Sequence, residues 1–385
     1  MSDKTTIGVG MVGYAFMGRV HSQAWRSVGA FFDLPLSPRM AVIAGRSKER
    51  TEASAAQLGW DAAETDWRAL IERDDVQIVD ICTPGDSHAE IAIAALAAGK
   101  HVICEKPLAN TVAEAEAMVR AAAAAPASVK SMVAFNYRRV PAVALARRFV
   151  EEGRLGEIRH VRAQYLQDWI VDPEFPLVWR LQKDKAGAGA LGDIGSHIVD
   201  AAEFITGQHV VGVSGLTETF IKERPLAGES AGLGASRTDA MGEVTVDDAA
   251  LFFGRMSGGA LASFEATRFA TGRKNAMRIE INGQLGSLAF DFEAMNELWF
   301  SSGGGGFERI LVTEPDHPYV GAWWPPGHGL GYEHTFTHEI KDFLEAIATG
   351  ADPSPSFADG LRVQRVLEAV ERSAADGSRY TNVEE

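Results

Sequence analysis

The start of this chain constrains its fold most. An apolar run, Ile7–Val12, exits into Gly13-Tyr14-Ala15-Phe16-Met17-Gly18, and Met17–Ser27 then reads as a helix. Two glycine patterns overlap there. Gly8-x-Gly10-x-x-Gly13 fits the dinucleotide-binding spacing to the letter, yet it lies inside the strand, where a sheet needs side chains. Gly13-x-Ala15-x-x-Gly18 begins at the strand exit and runs into the helix. A chain that brings backbone N–H groups and a helix N-terminus to a pyrophosphate must turn at that point. The second register is therefore the expected turn, with the methyl of Ala15 at the point of closest approach.

The alternation continues. Met40–Ala44, Val76–Ile81, His101–Cys104 and Ser131–Phe135 read as buried strands, and Ser47–Leu58, Asp86–Ala98 and Thr111–Ala125 as helices. Such a series implies βαβ units and a parallel sheet. Ser87-x-x-Glu90 and Thr111-x-x-Glu114 both fit a capping box, and Gly99 and Pro126 stop the helices that follow them. From about residue 156 the texture changes. Ile158–Leu166, Val210–Thr217, Ala249–Phe253, Ala260–Ala266, Arg278–Asn282 and Ser287–Phe290 are short, alternating and separated by turn residues, the pattern of an antiparallel sheet. A helix, Asp193–Ile205, interrupts them; Glu223–Glu243 and Ser301–Gly331 read as long loops; Tyr332–Ala348 and Phe357–Ala374 read as closing helices. The expected architecture is an α/β Rossmann domain over 1–135, then an α+β domain with a large, mainly antiparallel open sheet over 136–385, its C-terminal helix able to return to the first domain.

Bulk properties narrow the function. A formal charge of −15 argues against nucleic acid or an anionic membrane as partner. Cys82 and Cys104 are too few for a disulfide framework, have no metal-ligand spacing, and follow strand-like runs as small hydrophobes do. Met1–Thr6 carries no secretory signature, and no run of apolar residues is long enough to span a bilayer, so a reduced, cytoplasmic enzyme is expected. After the second strand, where an acid would accept from an NAD ribose, the chain reads Ala44-Gly45-Arg46-Ser47-Lys48. Arg46 and Ser47 suit the extra phosphate of NADP, or Arg46 stacks on adenine.

With these motifs in place the chain resembles the glucose–fructose oxidoreductase/inositol dehydrogenase (Gfo/Idh/MocA) family. The resemblance rests on Gly13–Gly18 with His21, Thr83-Pro84-x-x-x-His88, Glu105-Lys106-Pro107, Asn136-Tyr137-Arg138, and Gly192-Asp193-Ile194-Gly195-Ser196-His197. Tyr165-Leu166-Gln167-Asp168-Trp169 and Ser356-Phe357-Ala358-Asp359-Gly360 are similar to levoglucosan-dehydrogenase-like members. Those members use NAD, so the resemblance favours NAD where Arg46 and Ser47 favour NADP. It also implies a homodimer or homotetramer, which we expect to form through the outer face of the β-rich domain.

The residues support the same chemistry. Lys106 follows a strand and stands at the carboxyl edge of the parallel sheet, where ligands of such folds bind. Asp193 and His197, four apart on a helix, share a face. His197, of a type with a reference pKa of about 6.5, suits a proton acceptor, Lys106 a partner for the developing alkoxide, and Asp193 an orienting group. Alone, Lys106 reads as a surface lysine and Asp193/His197 as an ordinary helical pair; together, in the family's order, they read as catalytic. Gly13, Ala15, Phe16, Met17, Gly45, Arg46, Thr83, Pro84, His88, Glu105, Lys106 and Asn136 are cofactor candidates, although His88 and His21 read first as structural. Lys106, Arg138, Gln167, Asp168, Arg180, Asp193, His197 and His334 are substrate candidates, with Trp179 beside them. Trp323-Trp324 offers a face for a sugar but reads first as core or interface. No metal site is expected. The leading expectation is a sugar, anhydrosugar or cyclitol dehydrogenase; an NAD-dependent glycosidase or lyase using transient hydride transfer, and a non-catalytic cofactor-bound sensor, are the other readings.

Overall fold

The structure, a computed structural model, describes residues 4–231 and 234–384. Met1–Asp3 of the polar lead-in, and Gly232 and Leu233 within the expected 223–243 loop, lie outside them. The chain forms two compact units: residues 1–136 with 332–361, and residues 137–331 with 362–385.

The first unit begins with β1 (Thr5–Val12), α1 (Phe16–Phe31), β2 (Leu36–Ala44), α2 (Lys48–Leu58), β3 (Ala62–Glu64), α3 (Trp67–Glu72), β4 (Ile78–Ile81), α4 (His88–Ala97), β5 (His101–Glu105), α5 (Val112–Ala124) and β6 (Ser131–Ala134). Its sheet runs β3-β2-β1-β4-β5-β6, with every neighbouring pair parallel. The order reverses between β1 and β4, the switch point beyond which α/β sheets bind ligands. β3 and α3 are too short for the expected pattern to reveal. The two capping boxes differ. Thr111 and Glu114 exchange both bonds, Glu114 N–H to Thr111 Oγ1 at 3.2 Å and Thr111 N–H to Glu114 Oε2 at 3.0 Å. Ser87 does not cap α4: its hydroxyl donates to Pro84 O at 2.9 Å and Thr83 Oγ1 at 2.7 Å, and Glu90 pairs with Arg68 instead.

The second unit contains α6 (Pro141–Glu151), β7 (Ile158–Leu166), a single turn α7 (Lys183–Ala186), α8 (Ser196–Thr206), β8 (Val210–Glu218), β9 (Glu223–Ala231), β10 (Gly234–Glu243), β11 (Ala249–Met256), β12 (Leu261–Thr267), β13 (Ala276–Gly283), β14 (Ser287–Asp291), β15 (Glu297–Ser301) and β16 (Glu308–Leu311). A large sheet runs β16-β15-β14-β13-β7-β12-β11-β8 and ends on β17 (Thr381–Asn382); β7 and β12 are parallel and the other pairs antiparallel. α6 and α8 pack on it. The expected Glu223–Glu243 loop is a hairpin, β9 against β10, with register shifts that hide its alternation. The expected Ser301–Gly331 loop contains β16, and α6 and β15 are additional to the expected elements.

The chain then returns to the first unit as α9 (Tyr332–Thr349). Phe336, Ile340, Phe343 and Leu344 of α9 join Ile7, Val9, Met11, Trp25 and Val28 in one buried cluster. The return therefore involves the next-to-last helix as well as the start of the last one. α10 (Phe357–Ala375) counts with the first unit through Leu361 and with the second beyond it. Among the described residues no helix is long and apolar enough to cross a membrane.

Replacing Thr111 with alanine removes a complete capping box and is expected to destabilise the protein by about 1 kcal/mol, read as a lower urea midpoint at unchanged slope.

Candidate active site

The nucleotide edge of the first unit is built by close approach. Gly13, with φ +103°, ends β1, and a Cβ there would lie 2.7 Å from Cys82 O; one on Gly18 would lie 2.2 Å from Gly13 O. Helix α1 can therefore start directly against the strand end. Its N-cap, Ala15, makes no side-chain cap and its first turn has no acidic residue, which leaves the helix N-terminus suited to an anion. The earlier glycines do something else: a Cβ on Gly8 would lie 1.8 Å from Asp75 O, and one on Gly10 would lie 2.6 Å from the Leu70 side chain. They admit the α3 segment to β1. Of the two patterns, Gly13–Gly18 is the one that spans the strand exit and the start of α1.

The other cofactor candidates fall around that edge. A Cβ on Gly45 would meet the Tyr14 ring at 2.0 Å, so no carboxylate fits there. Arg46 is exposed, while the Ser47 hydroxyl accepts the Arg50 N–H at 3.5 Å and caps α2. Phe16 stacks on Tyr332 at 6.4 Å, and Met17 packs on the apolar cluster. Thr83 and Pro84 follow β4. The buried His88 ring reaches Thr83 O at 2.9 Å and Pro107 O at 3.0 Å, tying the loops after β4 and β5 together. Asn136 is buried and donates to Thr335 Oγ1 at 2.8 Å, so its side chain serves α9. His334, a substrate candidate, sits in the first turn of α9, 3.3 Å from Glu333 Oε1. Lys106 directly follows β5 at the carboxyl edge.

Beneath Lys106 lies a buried ionic array that sequence reading missed. His21 Nδ1 donates to both Asp80 oxygens at 3.0 Å, and His21 Nε2 to Glu105 Oε1 at 3.0 Å. Asp80 also accepts Trp25 Nε1–H at 2.7 Å and the Cys82 thiol at 3.4 Å. Glu105 Oε2 accepts the backbone N–H of Lys106 at 3.0 Å. The Glu105 carboxylate, expected to meet the cofactor, is thus committed inward. Burial alone opposes a charged His21, but the neighbouring Asp80 carboxylate, with Cys82, holds its pKa well above the ordinary histidine value. Burial pushes the Cys82 and Cys104 thiols up. His21, Asp80 and Cys82 place ligand-type atoms within 4.8 Å of one another, but their hydrogen bonds already use those atoms. The signal for this array was available: Asp80 interrupts an otherwise apolar strand run.

The second unit holds Asp193 and His197. The expected helix from Asp193 opens instead with a π turn, Leu191–Gly195, before α8. Asp247 sets that turn, its carboxylate accepting Gly189 N–H at 2.7 Å and Leu191 N–H at 2.8 Å while its carbonyl accepts Ala190 N–H at 3.0 Å. Such turns recur at functional sites. Arg268, fully buried, lies 3.8 Å from Asp193 Oδ2 and donates to Asp247 O at 3.0 Å. The His197 ring packs 4.4 Å from that of Tyr137 and 6.0 Å from that of Tyr165. The two tyrosine hydroxyls lie 2.6 Å apart, and Tyr165 donates to Asn275 Oδ1 at 2.6 Å. Gln167 joins them, donating to Asn275 at 2.8 Å and accepting from Trp169 at 2.9 Å.

Other substrate candidates are otherwise engaged. Arg138 is buried and grips Asp200 of α8 through Nε at 2.9 Å and Nη2 at 2.5 Å, so its guanidinium is part of the unit's interior. The Lys274 ammonium at 2.7 Å and the Gly272 N–H at 2.9 Å hold the Asp168 carboxyl below the usual carboxylate range, fastening a loop. Arg180 stacks on Trp179 at 4.3 Å. Trp324 is exposed and Trp323 lies against it at 6.1 Å.

The raised pKa of His21 fixes a sign. Its contribution to stability is complete below the unfolded histidine pKa of about 6.5 and is lost as pH rises through the folded value. Between the two, stability attributable to His21 falls by about 1.4 kcal/mol per pH unit. Denaturant unfolding from pH 6 to 9 is expected to show this alkaline loss in the parent protein and not in His21→Gln.

Comparison with known proteins agrees with this geometry. Residues 7–134 match the family model for the oxidoreductase family with an NAD-binding Rossmann fold, and residues 143–289 match the model for the GFO/IDH/MocA C-terminal domain. The chain is 45% identical to the levoglucosan dehydrogenase of Pseudarthrobacter phenanthrenivorans over 97% of each protein. An oxidoreductase domain protein from Kribbella flavida has a crystal structure that superposes with a TM-score of 0.94 at 64% identity, covering 99% of this chain and 100% of that one. A levoglucosan dehydrogenase in complex with NADH and levoglucosan superposes with a TM-score of 0.93 at 42% identity, with the same coverage. An uncapped glycine turn at the switch point, a lysine closing the fifth strand, and matches to both domain models together place the protein: it belongs to the Gfo/Idh/MocA family of NAD-binding oxidoreductases.

Proposed function

We propose that this protein is an NAD-dependent dehydrogenase that oxidises a hydroxyl of an anhydrosugar, with levoglucosan as the first substrate to test. The observation that carries the reading is its end-to-end similarity to levoglucosan dehydrogenase, 45% identity over 97% of each protein. The nicotinamide cofactor, when bound, accepts the hydride. The α1 N-terminus and the close-packed Gly13–Gly18 turn would receive its pyrophosphate. His197 takes the hydroxyl proton, Lys106 hydrogen-bonds the developing alkoxide, and Asp193 orients the hydroxyl or the histidine. Burial of His197 against Tyr137 and Tyr165 supports this role, since packing limits its ring to few orientations.

Two observations support NAD over NADP. Similar enzymes are known as NADH complexes. Ser47, one of the two side chains that would suit the extra phosphate of NADP, is occupied as the α2 cap. We also propose a homo-oligomer built on the outer face of the large sheet. Leu216, Leu251 and Phe253 lie there on neighbouring strands β8 and β11, 62%, 49% and 72% exposed, and an open apolar sheet face favours cover. The free, buried state of Cys82 and Cys104 fits a reducing, cytoplasmic setting.

Absorbance at 340 nm with levoglucosan, other anhydrosugars and cyclitols, against NAD and NADP in turn, tests the function; net NADH formation with levoglucosan is expected. Bond cleavage without net NADH would move the reading to a lyase or glycosidase. Lys106→Ala and His197→Ala should each lower kcat at least about a hundredfold while NADH titration shows binding retained; near-normal turnover in either would remove its residue from the mechanism. Light scattering at micromolar concentration should give a dimer or tetramer, and a monomer would refute the sheet-face proposal.

A further inference from the structure

The His21 array has more order than a buried ion pair needs. Asp80 is the penultimate residue of β4 and Glu105 the last of the adjacent parallel strand β5, and His21 projects between them from α1, the helix that begins at the nucleotide turn. Their carboxylates, His21 and Trp25 are almost wholly buried, with no more than 4% of any residue exposed. Ionised carboxylates only accept hydrogen bonds, so a ring with a carboxylate on each nitrogen must donate from both. His21 therefore acts as a two-ended strut whose length is fixed by the imidazole.

The far end of the strut is what matters. Glu105 has two oxygens and spends one on His21 and the other on the backbone N–H of Lys106. The peptide that carries Lys106 is thereby oriented by a carboxylate that cannot rotate without breaking its bond to His21. The near end is anchored just as firmly, since Asp80 accepts from Trp25 of the same helix and from Cys82 beyond β4. The rings of His21 and Phe336 pack at 5.4 Å, closing the last side of the imidazole with an apolar surface.

We infer that His21 is a positioning residue for Lys106, acting through Glu105 to hold the lysine at the end of β5 in the geometry its reaction requires. The inference rests on the reading of Lys106 as catalytic. It also gives the Glu105-Lys106 pair a division of labour: the glutamate faces inward as a brace, and the lysine carries the chemistry. A misplacement of the reacting group by about 1 Å costs a rate factor on the order of a hundred, so loosening this brace should appear in turnover before it appears in binding.

Kinetics with levoglucosan and NAD, the substrate pair of the parent reading, provide the test. His21→Gln, which can donate from one end only, should lower kcat about ten- to a hundredfold, with KM for the sugar and the dissociation constant for NADH each within about threefold. Glu105→Gln keeps the side-chain shape but accepts at one end only, and it should show the same split, so the question survives if the histidine variant folds poorly. Turnover per folded molecule, counted by circular dichroism and NADH-binding stoichiometry, separates positioning from simple loss of protein. The decisive comparison is a double-mutant cycle: adding His21→Gln to Lys106→Ala should cost nothing further in kcat. Normal turnover per folded molecule in both single variants would overturn the inference, as would losses that multiply in the double variant. If Lys106→Ala itself turns over normally, the parent reading falls and this one with it; if Lys106→Ala is inactive while His21→Gln and Glu105→Gln are both normal, this one alone falls.

Discussion

Two carboxylates with almost no access to water, on neighbouring strands, need a cation between them, and the architecture of the first unit is arranged to supply it. Removing one partner from such a buried array costs several kcal/mol, because the remaining charge keeps its desolvation penalty without its compensation. His21 can meet both only if α1 lies where the close approach of Gly18 to Gly13 O lets it lie. The nucleotide turn, the β4 and β5 ends, and the base of Lys106 are therefore mutually dependent. A shift in any one of them leaves a buried donor or acceptor unmatched.

The second unit reaches a comparable result with different means. Asp193 is presented by a π turn that Asp247 pins through two backbone N–H groups, and Arg268 is buried beneath it. A Cβ at Gly189 would lie 1.7 Å from Asp247 O, so the turn depends on a glycine at that position as well as on the aspartate. Arg138 and Asp200 brace α8 from within. In both units the residues read as chemical rest on charged partners that face the interior.

How much of this the sequence discloses depends on the distance over which each feature is decided. The Gly13–Gly18 register was legible because a turn must occur at the strand exit, and the long strands and helices followed from periodicity within a few residues. Thr111 and Ser87 show the limit of local rules: both begin the same four-residue pattern, yet Ser87 finds acceptors in its own preceding turn and Thr111 does not. His21 meets partners 59 and 84 residues away, so nothing near it in the chain announced its role. β9 and β10 pair with each other through shifted register, and their Gly- and Ser-rich sequence reads as loop until the partner strand is known. Arg138 and Glu105 stand out in the sequence as candidate site residues, but the direction each side chain faces is a tertiary fact.

The first unit is assembled from two separated stretches of chain, and this governs the order in which it can be made. Phe336, Ile340, Phe343 and Leu344 complete its core but lie beyond residues 137–331, which form most of the other unit. At ribosomal speeds of about 5–20 residues per second, those 195 residues take roughly ten to forty seconds to emerge. For that interval the nascent sheet presents, unfilled, the apolar surface that α9 will later occupy. Biosynthesis thus finishes the nucleotide-binding half of this molecule late, although it is encoded first.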